Sequence, residues 1–258
     1  MKPGTKRVGA RSGSARVPGA PVWFLDLDDT LHDASHAIYR EIDTRMTAFV
    51  ARQLGCGADE ADRVRRDYWQ RYGATMLGLL RHHRVDPGRF LRETHDFDVA
   101  TLLRAERGIG RLLARLPGRK VLLTNAPLHY AGAVLAGIGL HRQLRTRYAI
   151  EAMRVHGTYR PKPSRAMLRH VLAREGLAGR ANAGRAVLVE DSPDNLRAAR
   201  AVGMRTVLVL RHGRQRLGPR VAGGSYVDLR VAGVSQLPRT PLARAAAARM
   251  RGPEAEPG

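Results

Sequence analysis

The stretch VWFLDLDDTLHD, residues 22–33, decides the architecture. Val22 to Leu25 form a short, wholly apolar run that passes directly into acids, the pattern of a strand buried on both faces that ends at a loop. Asp26 and Asp28 flank Leu27 at that end, so the two-residue alternation of a strand turns both carboxylates to the same side. Two like charges in one mouth repel unless a proton or cation compensates. With no His or Cys cluster nearby, the cation they call for is hard and oxygen-bound, which points to magnesium. A turn or helix cap built on Asp-x-Asp before Thr30 is the plain structural alternative.

Outward from this stretch the same pattern recurs. Apolar runs KVLLTN (120–125), AVLVED (186–191) and TVLVL (206–210) each end where a polar cluster begins. Weaker strands are expected near 148–151 and 226–229, and helices near 127–138, 163–176 and 193–202 fit as crossovers. Strand and helix alternation of this kind predicts an α/β fold, a Rossmann-like doubly wound parallel sheet. Residues 34–104 break the alternation. Ile38, Ile42, Met46, Phe49 and Val50 recur at spacings of three and four, so this segment reads as an all-helical insertion, placed to fold as a cap over the strand ends. The expected organisation is a disordered basic tail (1–20), an α/β core (21–33 plus 105–232), the helical cap (34–104) and a C-terminal tail (233–258) carrying at most a frayed helix.

Two further strand ends and one lysine between prolines carry chemistry. Glu190 and Asp191 close AVLVED before Ser192-Pro193-Asp194 opens a helix; beside Asp26 and Asp28 they make a four-carboxylate cluster that needs a metal. Thr124 and Asn125 end LLTN with hydroxyl, amide and backbone donors suited to a phosphate, although Asn125 before Pro127 also reads as an ordinary turn. Lys162, between Pro161 and Pro163, is one of only four lysines (Lys2, Lys6, Lys120, Lys162) in a chain with 45 basic residues, so a compact point charge was retained there.

Composition excludes several classes. Apolar residues at 43% and 258 residues in all suffice for a full core. The single cysteine, Cys56, rules out an internal disulfide and suits a reducing cytoplasm. The longest apolar stretch, 131–140, is about half of the ~20 residues a bilayer span requires. The net charge of +22 invites a nucleic-acid role, but it is spread as arginine through helices and loops without interleaved aromatic platforms, which argues against a dedicated one.

DLDDTLHD, LLTN, the lysine of RPKPS and VEDSPDN together resemble, in order, the four motifs of the haloacid dehalogenase-like hydrolase superfamily. The resemblance covers most of residues 21–230. It implies that Asp26 is the nucleophile that takes phosphate and Asp28 the acid/base, with Mg2+ held by Asp26, the backbone carbonyl of Asp28, Asp191 and, directly or through water, Glu190. Thr124, Asn125 and Lys162 would bind the phosphate, with Asp194 and Asn195 supporting them. The superfamily's dehalogenases lack an acid at the position of Asp28, and its phosphonate-cleaving members use a cap lysine absent from 34–104, so the phosphatase and mutase branches are indicated. Within the insertion, Tyr72, Gly73, Thr75, Gly78, Leu79, His95 and Asp96 resemble the helical cap of pyrimidine 5'-nucleotidases. That implies hydrolysis of UMP or CMP, with Tyr72, Thr75 and His95 as candidates for contacting the base; their packing inside the cap is the alternative. A phosphatase or mutase acting on a sugar phosphate or phosphoglycolate shares the same core motifs, and a noncatalytic phosphate or nucleic-acid binder is the non-enzyme alternative.

Overall fold

The computed structural model describes residues 19–210 and 224–251. The basic N-terminal stretch up to residue 18 and the last seven residues lie outside them, as does any strand or loop between 211 and 223. Six parallel strands form the central sheet: β1 (Val22–Leu25), β2 (Arg119–Leu123), β3 (Thr146–Tyr148), β6 (Ala186–Glu190), β7 (Arg205–Val209) and β8 (Leu229–Val231), in the order β3-β2-β1-β6-β7-β8. A small antiparallel hairpin of β4 (Arg154–Val155) and β5 (Thr158–Tyr159), not foreseen from sequence, precedes the Lys162 loop. Strand order reverses direction of growth at β1, so the crevice at the carboxyl ends of β1, β2 and β6 is where an open sheet of this kind binds ligands.

Alternation along β1 explains its composition. Val22 and Phe24 pack on the face covered by α7 (Arg165–Arg174) and α9 (Pro193–Ala201), against Met167, Leu168 and Leu196. Trp23 and Leu25 point to the other face, toward α5 (Ile109–Ala114) and α6 (Leu128–Gly137), where Leu113, Tyr130 and Val134 lie. All four are buried. Trp23 places its one polar atom by donating Nε1–H to the Pro117 carbonyl at 2.7 Å. A further core helix is the short α8 (Arg180–Ala183).

Four helices follow β1: α1 (Ile38–Leu54), α2 (Ala58–Tyr72), α3 (Thr75–His82) and α4 (Pro87–His95). Gly55 ends α1 in the left-handed region and Asp86 caps α4 by accepting from the N–H groups of Gly88 and Arg89, with Pro87 in the first turn. The chain leaves and re-enters the core at one point: Asp33 N–H donates to the Arg104 carbonyl at 2.7 Å.

The C-terminal stretch differs from the expectation of a tail. Residues 234–239 form a 3-10 turn that packs against α5 and β8, Pro241–Arg251 form a helix, and Val234, Leu237 and Ala243 are buried in the cluster that holds Leu113 and Val231. Apolar spacing in this Ala/Arg-rich segment is too sparse to mark it, and its helix rests on packing against the core rather than on its own pattern. Among the described residues no helix is long and apolar enough to cross a membrane.

Candidate active site

The turn after β1 sets the site. Asp26 N–H continues the ladder to the Val189 carbonyl at 3.0 Å, and Leu31 N–H then folds back to the Leu27 carbonyl at 2.8 Å. This tight turn needs Asp29 in the left-handed region, φ 58°, which Asp tolerates better than most residues. Asp29 is itself fixed by Ser35, whose backbone N–H and hydroxyl both donate to its carboxylate, at 2.9 and 2.5 Å.

Asp26 lies at the centre of a buried ion group. Lys162 Nζ is 2.6 Å from Asp26 Oδ1 and 2.7 Å from Glu190 Oε2. One carboxylate oxygen each from Asp26, Glu190 and Asp191 lie within 4.8 Å of one another. Burial first, and the charge of Glu190 second, push the Asp26 carboxyl well above its usual range, against the opposing pull of Lys162. Glu190 is raised by the same burial, and Asp191 is pushed up to about 6 by burial and by Asp26. Burial alone disfavours the Lys162 ammonium, yet its two carboxylate partners outweigh that and hold its pKa above the ordinary value. One cation against three carboxylates leaves the cluster short of positive charge. An all-oxygen donor set with that deficit fits a hard divalent ion such as Mg2+.

Lys162 reaches this position because Asn125 holds its loop. The Asn125 side chain donates to the Lys162 carbonyl at 3.0 Å and accepts from the Lys162 N–H at 2.9 Å. The amide of Asn125 is thus engaged with the backbone, leaving its own N–H at the strand end. Thr124 is buried beside it, its Oγ1 accepting from Ala126 N–H at 3.1 Å, which leaves the hydroxyl proton free to be directed elsewhere. Asp194 is exposed and paired with Arg197, and Asn195 lies in the first turn of α9, both beside the strand end of Glu190.

Asp28 stands apart from the Asp26 group. Its Oδ1 accepts from the Tyr130 hydroxyl at 2.6 Å and lies 2.8 Å from His32 Nε2. Burial pushes its carboxyl up, but the bonds from His32 and Tyr130 prevail and hold it below the usual carboxylate range. Burial, then Asp28, drive the Tyr130 phenol well above its ordinary value. Tyr39, at the start of the cap, is raised likewise by burial and by the charges of Asp28 and Asp29.

The three cap candidates separate. The Thr75 hydroxyl donates to the Arg65 carbonyl at 3.0 Å, inside the α2–α3 pair. The Tyr72 hydroxyl is 2.5 Å from His82 Nε2, with the Arg81 guanidinium over its ring. His95 instead comes to the core: its ring centroid is 5.4 Å from that of Tyr130 and 6.3 Å from that of His129. Since the Thr94 hydroxyl donates to the Phe90 carbonyl, the His95 Nδ1 is the atom left to donate, to Thr94 Oγ1 at 2.9 Å and the Leu91 carbonyl at 3.2 Å. Nε2 then carries the lone pair. Burial lowers this imidazole to about 4, so it is neutral at pH 7.

Tyr130, His32, Asp29 and Tyr39 were not singled out from sequence. His32 lies in the quoted stretch four residues after Asp28, but spacing alone does not distinguish a bonded His from a buried one; Tyr130 is brought in only by the fold.

The motif strand ends that meet here are those of one family. The model of the haloacid dehalogenase-like hydrolases matches residues 22–203. The chain belongs to this family. Phosphate metabolism protein 8 of Saccharomyces cerevisiae is 24% identical over 205 residues, which cover 75% of this chain and 62% of that protein. The chain therefore spans under two thirds of that relative's length. Solved structures share the fold: a HAD phosphatase from Thermococcus onnurineus (19% identity, TM-score 0.57, covering 85% of this chain and 96% of that one), and CbbY from Rhodobacter sphaeroides in complex with phosphate (20%, 0.57, 84% and 96%). The magnesium-bound HAD-hydrolase YfnB from Bacillus subtilis is similar at 12% identity and a TM-score of 0.53, over 85% of this chain and 97% of that one.

Proposed function

We propose that this hydrolase is a magnesium-dependent phosphomonoesterase that works through an aspartyl phosphate on Asp26. The observation that carries it is the buried group of Asp26, Lys162, Glu190 and Asp191, a nucleophile held between a cation and two further carboxylates at a strand end. Asp26, Glu190, Asp191 and the backbone carbonyl of Asp28 would hold Mg2+. When bound, the ion supplies positive charge that lets an anionic carboxylate and an anionic phosphate approach.

The protein's own groups divide the remaining work. Lys162 and the donors of Thr124 and Asn125 bind the phosphoryl oxygens and stabilise the charge that gathers there. Asp26 attacks phosphorus and the ester P–O bond breaks, while the departing oxygen takes a proton from Asp28. A dianionic phosphate beside Asp28 raises that carboxyl's proton affinity, against the bonds from His32 and Tyr130 that hold it low. Asp28 then takes a proton from water, whose oxygen attacks the phosphoenzyme and frees Asp26.

The leaving group we propose is a pyrimidine nucleoside, the substrate being UMP or CMP. His95 supports it best among the cap residues, since it brings a neutral imidazole with a free acceptor nitrogen beside the acid. Tyr72 and Thr75 contribute by shaping the α2–α3 pair that carries the cap. The test is phosphate release with Mg2+ from a panel of nucleotides, sugar phosphates and phosphoglycolate, with Asp26→Asn as control. Preference for UMP and CMP supports the pyrimidine substrate; turnover of a sugar phosphate or phosphoglycolate in their place overturns it; retained turnover in Asp26→Asn overturns the nucleophile.

A further inference from the structure

The two hydrogen bonds on Asp28 converge on a single oxygen. Tyr130 and His32 both address Oδ1 from distant points in the sequence, one on helix α6 and one on the turn after β1. Oδ2 receives neither bond, and the Asp28 side chain remains 17% accessible while His32 is wholly buried and Tyr130 nearly so. The carboxylate is thus gripped by one oxygen and presents the other.

The grip is not what stability alone would select. His32 Nδ1 is buried with no hydrogen-bond partner among the described residues, so the ring is kept in the core for the sake of Nε2. Nε2 must donate to the carboxylate, which leaves Nδ1 as an unpaired acceptor. Tyr130 is likewise a large phenol whose one polar atom is spent on Asp28. Its ring lies against the cap junction, 5.4 Å from the His95 ring and 6.1 Å from the Phe97 ring.

We propose that Tyr130 and His32 are positioning residues that clamp Asp28 by Oδ1, so that Oδ2 delivers the proton to the leaving oxygen and later receives one from water. The clamp rests on the reading of Asp28 as the acid/base of a phosphomonoesterase. In the first half-reaction the Oδ2–H bond breaks and an alcohol O–H forms as the P–O bond parts; in the second, a water O–H breaks and Oδ2–H re-forms. Because Tyr130 also supports the cap junction, the cap and the acid share one ring.

The decisive readout is leaving-group dependence. The value of kcat/KM runs only through departure of the alcohol, and p-nitrophenolate departs without a proton whereas an alkoxide does not. Tyr130→Phe keeps the ring packing and removes only the hydroxyl. It is expected to lower kcat/KM about 10- to 100-fold on an alkyl phosphomonoester and less than about 2-fold on p-nitrophenyl phosphate. His32→Leu should behave like it, while His32→Gln, whose amide nitrogen reaches the place of Nε2, should recover much of the loss. A crystal structure of Tyr130→Phe gives a second measurement that needs no turnover: the Asp28 carboxylate is expected to turn from its present position. Equal losses on both esters, or no loss on either, or an unmoved carboxylate, overturns the clamp. Wild-type protein that releases phosphate from neither ester overturns the phosphatase reading itself, and with it the acid that the clamp serves; the wild-type control separates that result from a failure of the hydroxyl.

Discussion

Replacing Lys162 by Met removes the cation that bridges Asp26 and Glu190. The side chain is 2% accessible, its partners 10% and 1%, so solvent screens these contacts little. Breaking a buried pair by deleting one partner typically costs 3–5 kcal/mol, because the other charge is left uncompensated. At about 2–4 °C per kcal/mol for a chain near this size, the metal-free variant should melt roughly 6–20 °C below the wild type at pH 7.5. The pH dependence has a definite sign. Asp26 and Glu190 already have native carboxyls raised above their unfolded values by burial, and Lys162 opposes that rise. Without Lys162 they rise further, so the folded variant binds protons that the unfolded chain releases, and its stability increases as pH falls through the raised values. The deficit relative to wild type should therefore shrink at pH 5. Urea and thermal unfolding in EDTA at the two pH values measure this. A deficit under about 1 kcal/mol at pH 7.5, or one that is the same at pH 5, refutes the electrostatic account.

Asp26→Asn should abolish phosphate release and yet leave the metal-free protein at pH 7.5 at least as stable as wild type, since it removes a carboxylate disfavoured by burial and Glu190; a clear loss in melting temperature contradicts this. Mg2+ should raise the melting temperature more at pH 7.5 than at pH 5, because Asp191, raised to about 6, is protonated at the lower pH and protons then compete with the ion; equal shifts count against the proposed ligands. Gly78→Ala should cost about 1–3 kcal/mol, for a methyl there would lie 2.2 Å from Tyr68 Cγ; wild-type unfolding in urea would show that α3 can shift to admit it.

The core was legible because its pattern is local. The four apolar runs 22–28, 120–125, 186–191 and 206–210 map onto β1, β2, β6 and β7 and overshoot their ends on the polar side by one to three residues. A parallel sheet buried on both faces has little freedom to place them elsewhere. The cap's four helices were legible as a helical block but not as elements, since Gly55, Gly73 and the His83–Asp86 break are turn signals that only local backbone geometry resolves. The segment 234–251 was misread for the converse reason: its order comes from docking onto the core, which its own composition does not announce.

The run from Tyr72 to Leu79 shows why a motif and a site are different things. Gly73 ends α2 at φ 80°, the Thr75 hydroxyl ties α3 to the Arg65 carbonyl, and Gly78 lets α3 approach the Tyr68 ring more closely than any side chain would allow. Each of these residues has a structural reason within the cap, so the run can mark a cap architecture without any of it touching substrate. His95 and Tyr130 stand in the opposite position. Neither spacing nor composition connects them to Asp28, yet the fold sets one ring edge-on against the other and bonds the second to Asp28. Under the proposed function, substitutions at His95 should therefore alter preference across the phosphomonoester panel more than substitutions at Tyr72 or Thr75.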